Sequence, residues 1–164
     1  MNPVLSTLQY SNSNDNVMIG DKQFEVGSVE WSDPAQPNEG EATIHFVGTY
    51  EGYWMKVGFE KGLKSGKGVL YRPNGSILLE AWFVNGVCEG EVIERAENGE
   101  MTLKYELKNG VKNGYVFGYE GGKVSRMELV EEGVVKWTCV SSNRMIGYWD
   151  VYGVNNELLF TCER

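Results

Sequence analysis

Three segments of the chain begin alike: "FEKGLKSG" at Phe59, "FVNGVCEG" at Phe83 and "LKNGVKNG" at Leu107. Their first glycines, Gly62, Gly86 and Gly110, stand 24 residues apart, and so do their second, Gly66, Gly90 and Gly114. Ordering a glycine costs more backbone entropy than ordering any other residue, so a chain keeps it where a turn or a close approach requires it. A fixed period of this length marks a repeat architecture, one supersecondary unit laid beside the next. A further turn sequence follows each second glycine: "RPNGS", "AENGE" and "YEGGK". Asn74-Gly75 and Asn98-Gly99 are dipeptides favoured in tight hairpins, and type I′ turns are expected at both.

The segments between turns alternate with period two. Tyr53, Met55, Val57 and Phe59 occupy the same four slots as Ile77, Leu79, Ala81 and Phe83 one repeat later, and as Met101, Leu103, Tyr105 and Leu107 after that. Every one of these positions is apolar or aromatic, the signature of a strand with one buried face. Val69, Ile93 and Phe117 recur on the preceding strand and are expected to form a matching inward column; His45 aligns with them by period and is expected to be packed. Each unit therefore reads as two short strands and two turns. A lone hairpin cannot bury its apolar face, whereas a row of them can.

The ends are less regular. "GYWDVYGVNNELLFTC", Gly147 to Cys162, repeats the second half of a unit, with Asn155-Asn156 in the Asn-Gly slot. Residues 127–146 form a degenerate unit around Gly133, and "KQFEVGSVEW" and "EATIHFVGTYEG" read as strands flanking the loop "SDPAQPNEG". Residues 1–16 are polar and rich in Asn and Ser, a frayed lead-in to a domain over 17–164. The fold class expected is all-β: one elongated sheet of stacked antiparallel hairpins.

The pattern Phe59-x-x-Gly62-x-x-x-Gly66-x-Gly68, followed by Asn74-Gly75, resembles the core of a MORN repeat (membrane occupation and recognition nexus). Val92 and Val116 stand where later units would carry the third glycine, and the opening Tyr-x-Gly of the family is missing. This relaxed form is similar to the MORN-type hairpins of bacterial antitoxin-like proteins and of the segments that precede some SET-domain methyltransferases. The resemblance covers about residues 50–162. It implies a non-catalytic scaffold, often dimeric, with lipid binding proposed for some members.

The net charge of −8 disfavours nucleic acid and anionic lipid, which attract basic surfaces. The charge is uneven, however. Residues 1–55 carry eight Asp and Glu against Lys22 alone, while residues 56–126 carry eleven Lys and Arg against nine acids, leaving room for a central basic patch. Cys88, Cys139 and Cys162 are odd in number and widely spaced, as expected of buried free thiols in a reducing compartment. With no basic leader and no long apolar run, a soluble cytoplasmic protein is expected.

No catalytic constellation is expected. "GLKSGKG" is one residue short of a phosphate-binding loop and lacks its Ser or Thr. A single histidine and scattered cysteines supply neither a zinc site nor a nucleophile–base pair, so no metal and no cofactor are anticipated. "NSNDN" lacks the terminal Glu of a calcium loop, and Asn74-Gly75-Ser76 fits a glycosylation acceptor only formally. Glu89, Glu91, Glu94, Glu97 and Glu100 read as a solvated edge rather than paired catalytic acids.

The face opposite the apolar ladder is the candidate site. It carries Trp54, Lys56 and Gly58, then Leu78, Glu80 and Trp82, then Thr102, Lys104 and Glu106. Aromatic anchors among alternating charges suit protein contact, the alternative being that the terminal segments of the chain pack over this face. The residues expected to bind a protein or extended peptide are Trp54, Tyr71 and Trp82, with Lys56, Lys64 and Lys104 setting charge preference. Gly62, Gly66, Gly75, Gly86, Gly90, Gly99, Gly110 and Gly114 are structural. Both ends of an open row offer unpaired backbone groups, so a homodimer is also expected to be accessible. The alternative is a peripheral membrane or phosphoinositide module using Lys56, Lys61, Lys64, Lys67 and Arg72.

Overall fold

The computed structural model describes residues 16–143 and 145–164. Of the lead-in expected over residues 1–16, and of "NSNDN" within it, only Asn16 lies among them. Fifteen strands follow in chain order: β1 (Val17–Ile19), β2 (Lys22–Trp31), β3 (Gly40–Val47), β4 (Trp54–Glu60), β5 (Leu63–Tyr71), β6 (Ile77–Val84), β7 (Val87–Cys88), β8 (Gly90–Arg95), β9 (Met101–Lys108), β10 (Val111–Lys112), β11 (Gly114–Glu120), β12 (Lys123–Glu131), β13 (Val134–Ser141), β14 (Tyr148–Tyr152) and β15 (Leu158–Glu163). All belong to one open sheet, and each strand pairs antiparallel with its neighbour in sequence; β7 and β10 are short arms that pair back onto β6 and β9. A single turn of 3-10 helix, Gly48–Tyr50, is the only helical element among the described residues. The all-β row of hairpins expected from the glycine period is the architecture observed.

Two kinds of turn alternate along the row. Lys61-Gly62, Asn85-Gly86, Asn109-Gly110 and Glu132-Gly133 have positive φ at both residues, the type I′ geometry whose twist matches that of the flanking strands. Successive turns are laced together. The Gly62 amide donates to the Asn38 carbonyl, that of Gly86 to Lys64 and that of Gly133 to Lys112.

The type I′ turns expected at Asn74-Gly75 and Asn98-Gly99 are not formed. Positive φ falls there on the glycine alone. The Gly75 amide donates to the Arg72 carbonyl, and the Arg72 amide donates to Ser76, which makes a three-residue loop with Gly75 in the left-handed position. Pro73 cannot supply a positive φ. Asn74 Oδ1 accepts from the Ser76 amide at 2.9 Å and so fixes the type I conformation. Asn98 does the same for Glu100, and Asn156, at φ 59°, takes the glycine's place in the last turn.

The apolar ladder is buried at eight of its twelve expected positions, while Tyr53, Ile77, Met101 and Leu103, at or near the starts of their strands, are half-buried. Met55, Val57, Phe59, Leu79, Ala81, Phe83, Tyr105 and Leu107 are buried, joined by Phe24, Ile44 and Phe46 from the first hairpins. Fully burying a side chain of this size stabilises the fold by about 1.5–3 kcal/mol. The inward column on the preceding strand is different from the one expected: it is Gly68, Val92 and Val116, and Val69, Ile93 and Phe117 face the other way. Lys56 pairs with Val69 and Gly58 with Ser65, a slip of two residues at the bulge beside the second glycine, so the alternation is kept and Lys64, Gly66, Gly68 and Leu70 all face inward. Because the inward slot at 68 is a glycine, the apolar residue the pattern shows there is its outward neighbour Val69. At Gly66, Gly90 and Gly114 an added Cβ would meet nothing within 4 Å, and what requires glycine there is the φ of 84°, 83° and 105°. Gly68 is glycine for space: a Cβ there would lie 3.0 Å from the Phe83 ring.

The repeated bulges coil the sheet. β2 and β8 are five strands apart in the order, about 24 Å in a flat sheet. Yet Lys22 Nζ lies 2.7 Å from Glu94 Oε2. The β1–β2 hairpin thus lies across the inner face, with Val17, Ile19 and Phe24 buried and Gly20 against Leu107 and Tyr105. Glu94 occupies the inward slot that Leu70 fills one repeat earlier, and it is no solvated edge residue. Its carboxylate, 14% exposed, is held by Lys22 and by the Tyr105 hydroxyl at 3.1 Å. Burial first, then the Glu94 charge, raises the Tyr105 phenol well above its ordinary range. The core ends at Val116 and Val130, where the β1–β2 turn leaves an open groove of about 310 Å³ lined by Asp21, Val111, Lys112 and Val135.

Candidate functional site

The outer face of the coil is crossed by one row of directly paired residues. It runs Thr43, Lys56, Val69, Glu80, Ile93 and Lys104, one per strand, so that charged and apolar side chains alternate. The alternation follows from the repeat: strands running in opposite directions present two different slots of the unit. From Phe117 the row changes character and continues through Met127, Cys139, Val151 and Phe160, apolar at every strand. A second outer row, Tyr115, Leu129 and Trp137, lies beside it.

Five of the six expected binding residues lie on this face. Trp54 and Tyr71 pair and stack, with centroids 4.0 Å apart and rings 14° from parallel. Lys56 Nζ sits 5.9 Å from the Trp54 ring centroid. Trp82 is 50% exposed beside Lys67. Lys104 lies 6.0 Å over Phe117 and 3.7 Å from Glu91. Lys64 is the exception. It pairs with Phe59 on the inner face, in line with Gly66, Gly68 and Leu70 of the same strand, is only 4% exposed, and runs over the Phe59 ring. It therefore leaves both the candidate face and the basic segment Lys56–Arg72. Arg72 is also engaged, donating to the carbonyls of Ile77 and Arg95.

Lys56, Glu80 and Lys104 are separated by Val69 and Ile93, as their two-strand spacing requires. Glu80 instead binds Lys67 at 2.9 Å and Arg95 at 2.7 Å. Burial pushes its carboxyl up, but the two hydrogen bonds and the two positive charges outweigh it and hold Glu80 below the usual carboxylate range. His45, expected to be packed inward, stands on the outer face opposite Trp54 with its ring 43% exposed and Glu30 at 3.6 Å. Of the three thiols, Cys88 and Cys139 are buried and free as expected, whereas Cys162 is exposed on the last strand. Burial pushes Cys88 up to about 12, far from the thiolate that redox or nucleophilic chemistry needs.

The apolar row from Phe117 to Phe160 and the row of Tyr115, Leu129 and Trp137 beside it are not among the binding residues expected from the sequence. Their signal was present in "MELV", "VVKWTCV" and "YWDVY", whose apolar residues occupy both strand faces. Among the described residues no three His, Cys, Asp or Glu side chains gather as a metal site would require. No helix of the described residues is long and apolar enough to cross a membrane. The arrangement offers shape, aromatic area and paired charge, the elements of a binding surface.

No family model matches this sequence, and no curated protein matches it. Among solved structures, the crystal structure of accessory secretory protein 1, 2 and 3 in Streptococcus pneumoniae aligns with a TM-score of 0.32 and 13% identity. The alignment covers 88% of this chain and 24% of that one, and a likeness this slight carries no functional inference.

Proposed function

We propose that this chain is a non-catalytic protein-interaction scaffold whose outer sheet face grips a protein or an extended peptide. The reading rests above all on the outer face, where alternating charge at Lys56–Lys104 gives way to an apolar row from Phe117 to Phe160, with Tyr115 and Phe160 about half exposed around buried Cys139 and Val151. Exposed aromatic side chains of this kind, beside the Trp54–Tyr71 pair and Trp82, are what a partner buries. The Trp54–Tyr71 stack and Trp82 supply the anchors, and Lys56 and Lys104 set charge preference at the rim. A protein partner is favoured over a lipid head group because Lys64 is buried and Arg72 is committed to the turns, leaving Lys56, Lys61 and Lys67 of the basic segment.

The test is quantitative capture from the native cell extract with wild-type bait and with a Trp54→Ala/Trp82→Ala bait of equal fold content. Loss of the same captured protein from the double variant supports the outer face. Equal recovery by both baits removes it.

A further inference from the structure

The two ends of the sheet differ. At one end β1 is three residues long and turned into the core, with Val17 and Ile19 buried, so this edge is blunted. At the other end β15 is six residues long, and Leu158, Leu159 and Phe160 are exposed on both of its faces. From Leu158 to Cys162 it carries no charge, no lysine and no proline, the usual guards of an edge strand.

The direction of its backbone groups can be read from the ladder. The Arg164 amide donates to the Gly147 carbonyl, so hydrogen-bonded pairs recur at Trp149–Cys162 and Val151–Phe160. Independently, the Ser142 amide donates to Tyr148, which turns Tyr148, Asp150 and Tyr152 toward β13 and the residues between them toward β15. Phe160 and Cys162 therefore spend their amide and carbonyl groups on β14. Those of Thr161 and Glu163 point outward, as evenly spaced donors and acceptors that only another extended strand matches.

We propose that β15 is a self-pairing edge, and that two copies of this chain join antiparallel about Thr161 into one continuous sheet with two-fold symmetry. In that register Phe160 of one copy stands beside Cys162 of the second copy, so the apolar outer row runs on across the junction. Arg164 is brought up to Leu158 and Glu157 of the second copy, so the ends of the strand meet with opposite charge twice over. The blunted β1 edge prevents head-to-tail addition, so assembly closes at two copies rather than growing as a fibre. The inference does not rest on the outer face as a docking site.

Sedimentation of the full chain tests it, with the wild type compared with Leu159→Lys and Trp82→Ala. The expected result is a species of twice the 18.4 kDa chain mass for the wild type and for Trp82→Ala, and a monomer for Leu159→Lys with an unchanged circular dichroism spectrum. A second measurement needs no variant. The amides of Thr161 and Glu163 gain exchange protection as wild-type concentration rises, while those of Phe160 and Cys162 stay as they were. A wild type that is monomeric at every concentration into the high micromolar range overturns the proposal, as does a dimer whose Thr161 and Glu163 amides gain no protection. Equal partner capture by wild type and Trp54→Ala/Trp82→Ala with the dimer intact would remove the outer face and leave this inference standing, so the two claims fail separately.

Discussion

The hairpins of the first two-thirds and of the last third share turns, strand lengths and pairing, yet they place their main apolar rows on opposite sides. From β1 to β9 the inner face holds the core: Phe24, Met55, Leu79 and Tyr105 point in, and the outer face alternates charge with aromatics. From β12 to β15 the inner face mixes Val130 and Val140 with Arg126, Glu128, Thr138, buried Asp150 and Thr161, while the continuous apolar row, Met127, Cys139, Val151 and Phe160, lies outside. The backbone repeat is the same, so it does not decide which face is buried. What differs is cover. The β1–β2 hairpin reaches as far as Tyr105, Leu107 and Val130 and no farther, and apolar side chains follow the cover. A one-dimensional row of hairpins thus acquires a closed, stable part and an open part with surface to offer.

The sharpest way to break this comparison is to cut the same side chain in each part. Phe24→Ala is expected to cost about 3–5 kcal/mol, the cavity cost of a buried aromatic, while Phe160→Ala, 55% exposed, costs less than about 1 kcal/mol in the monomer. Urea unfolding of the two variants measures the difference, and equal losses would show that the two parts share one core.

The clasp comes next in size. Lys22→Met leaves the Glu94 carboxylate half-satisfied under the β1–β2 hairpin and is expected to cost about 1–3 kcal/mol. Adding Glu94→Leu removes the stranded charge and restores the slot Leu70 occupies one repeat earlier, so the double variant should recover most of that loss. A double variant no better than the single one would mean that the hairpin is held by its apolar residues alone.

These contrasts also mark what could be read from the residues. The 24-residue beat of glycines was enough for the fold, because Gly62, Gly86 and Gly110 each supply the second positive φ of an identical turn. The candidate face was half legible. The parity of Trp54, Trp82 and Lys104 follows from strands that begin at a tight turn, and it held. Val69, Ile93, Phe117, His45 and Lys64 face the opposite side from the one expected. Adjacent apolar residues such as Val92 and Ile93 both look like core, a glycine at 68 hides the inward slot of its strand, and His45 follows the same period, so the apolar pattern alone does not say which of the two faces inward. The Lys22–Glu94 pair could not be read either, since it joins residues 72 apart and depends on how tightly the sheet coils.

The smallest expected effect is electrostatic. Glu80, held below the ordinary carboxylate range by Lys67 and Arg95, contributes stability that is present above the unfolded carboxylate pKa of about 4.3 and is lost as pH falls through its lower folded value. Glu80→Gln should therefore cost about 1 kcal/mol or less at neutral pH, and the gap to wild type should close on acidification below about pH 4. A gap independent of pH would assign the effect to packing instead.

Native-state hydrogen exchange, read residue by residue in dilute protein, puts the division of the sheet to its most direct test. Amides of β4 to β9, under the β1–β2 hairpin, should exchange only through global unfolding, while those of β13 and β14 exchange faster, through local opening. Equal protection of β5–β6 and β13–β14, or the reverse order, would contradict a fold whose repeat is uniform but whose core is closed over one part alone.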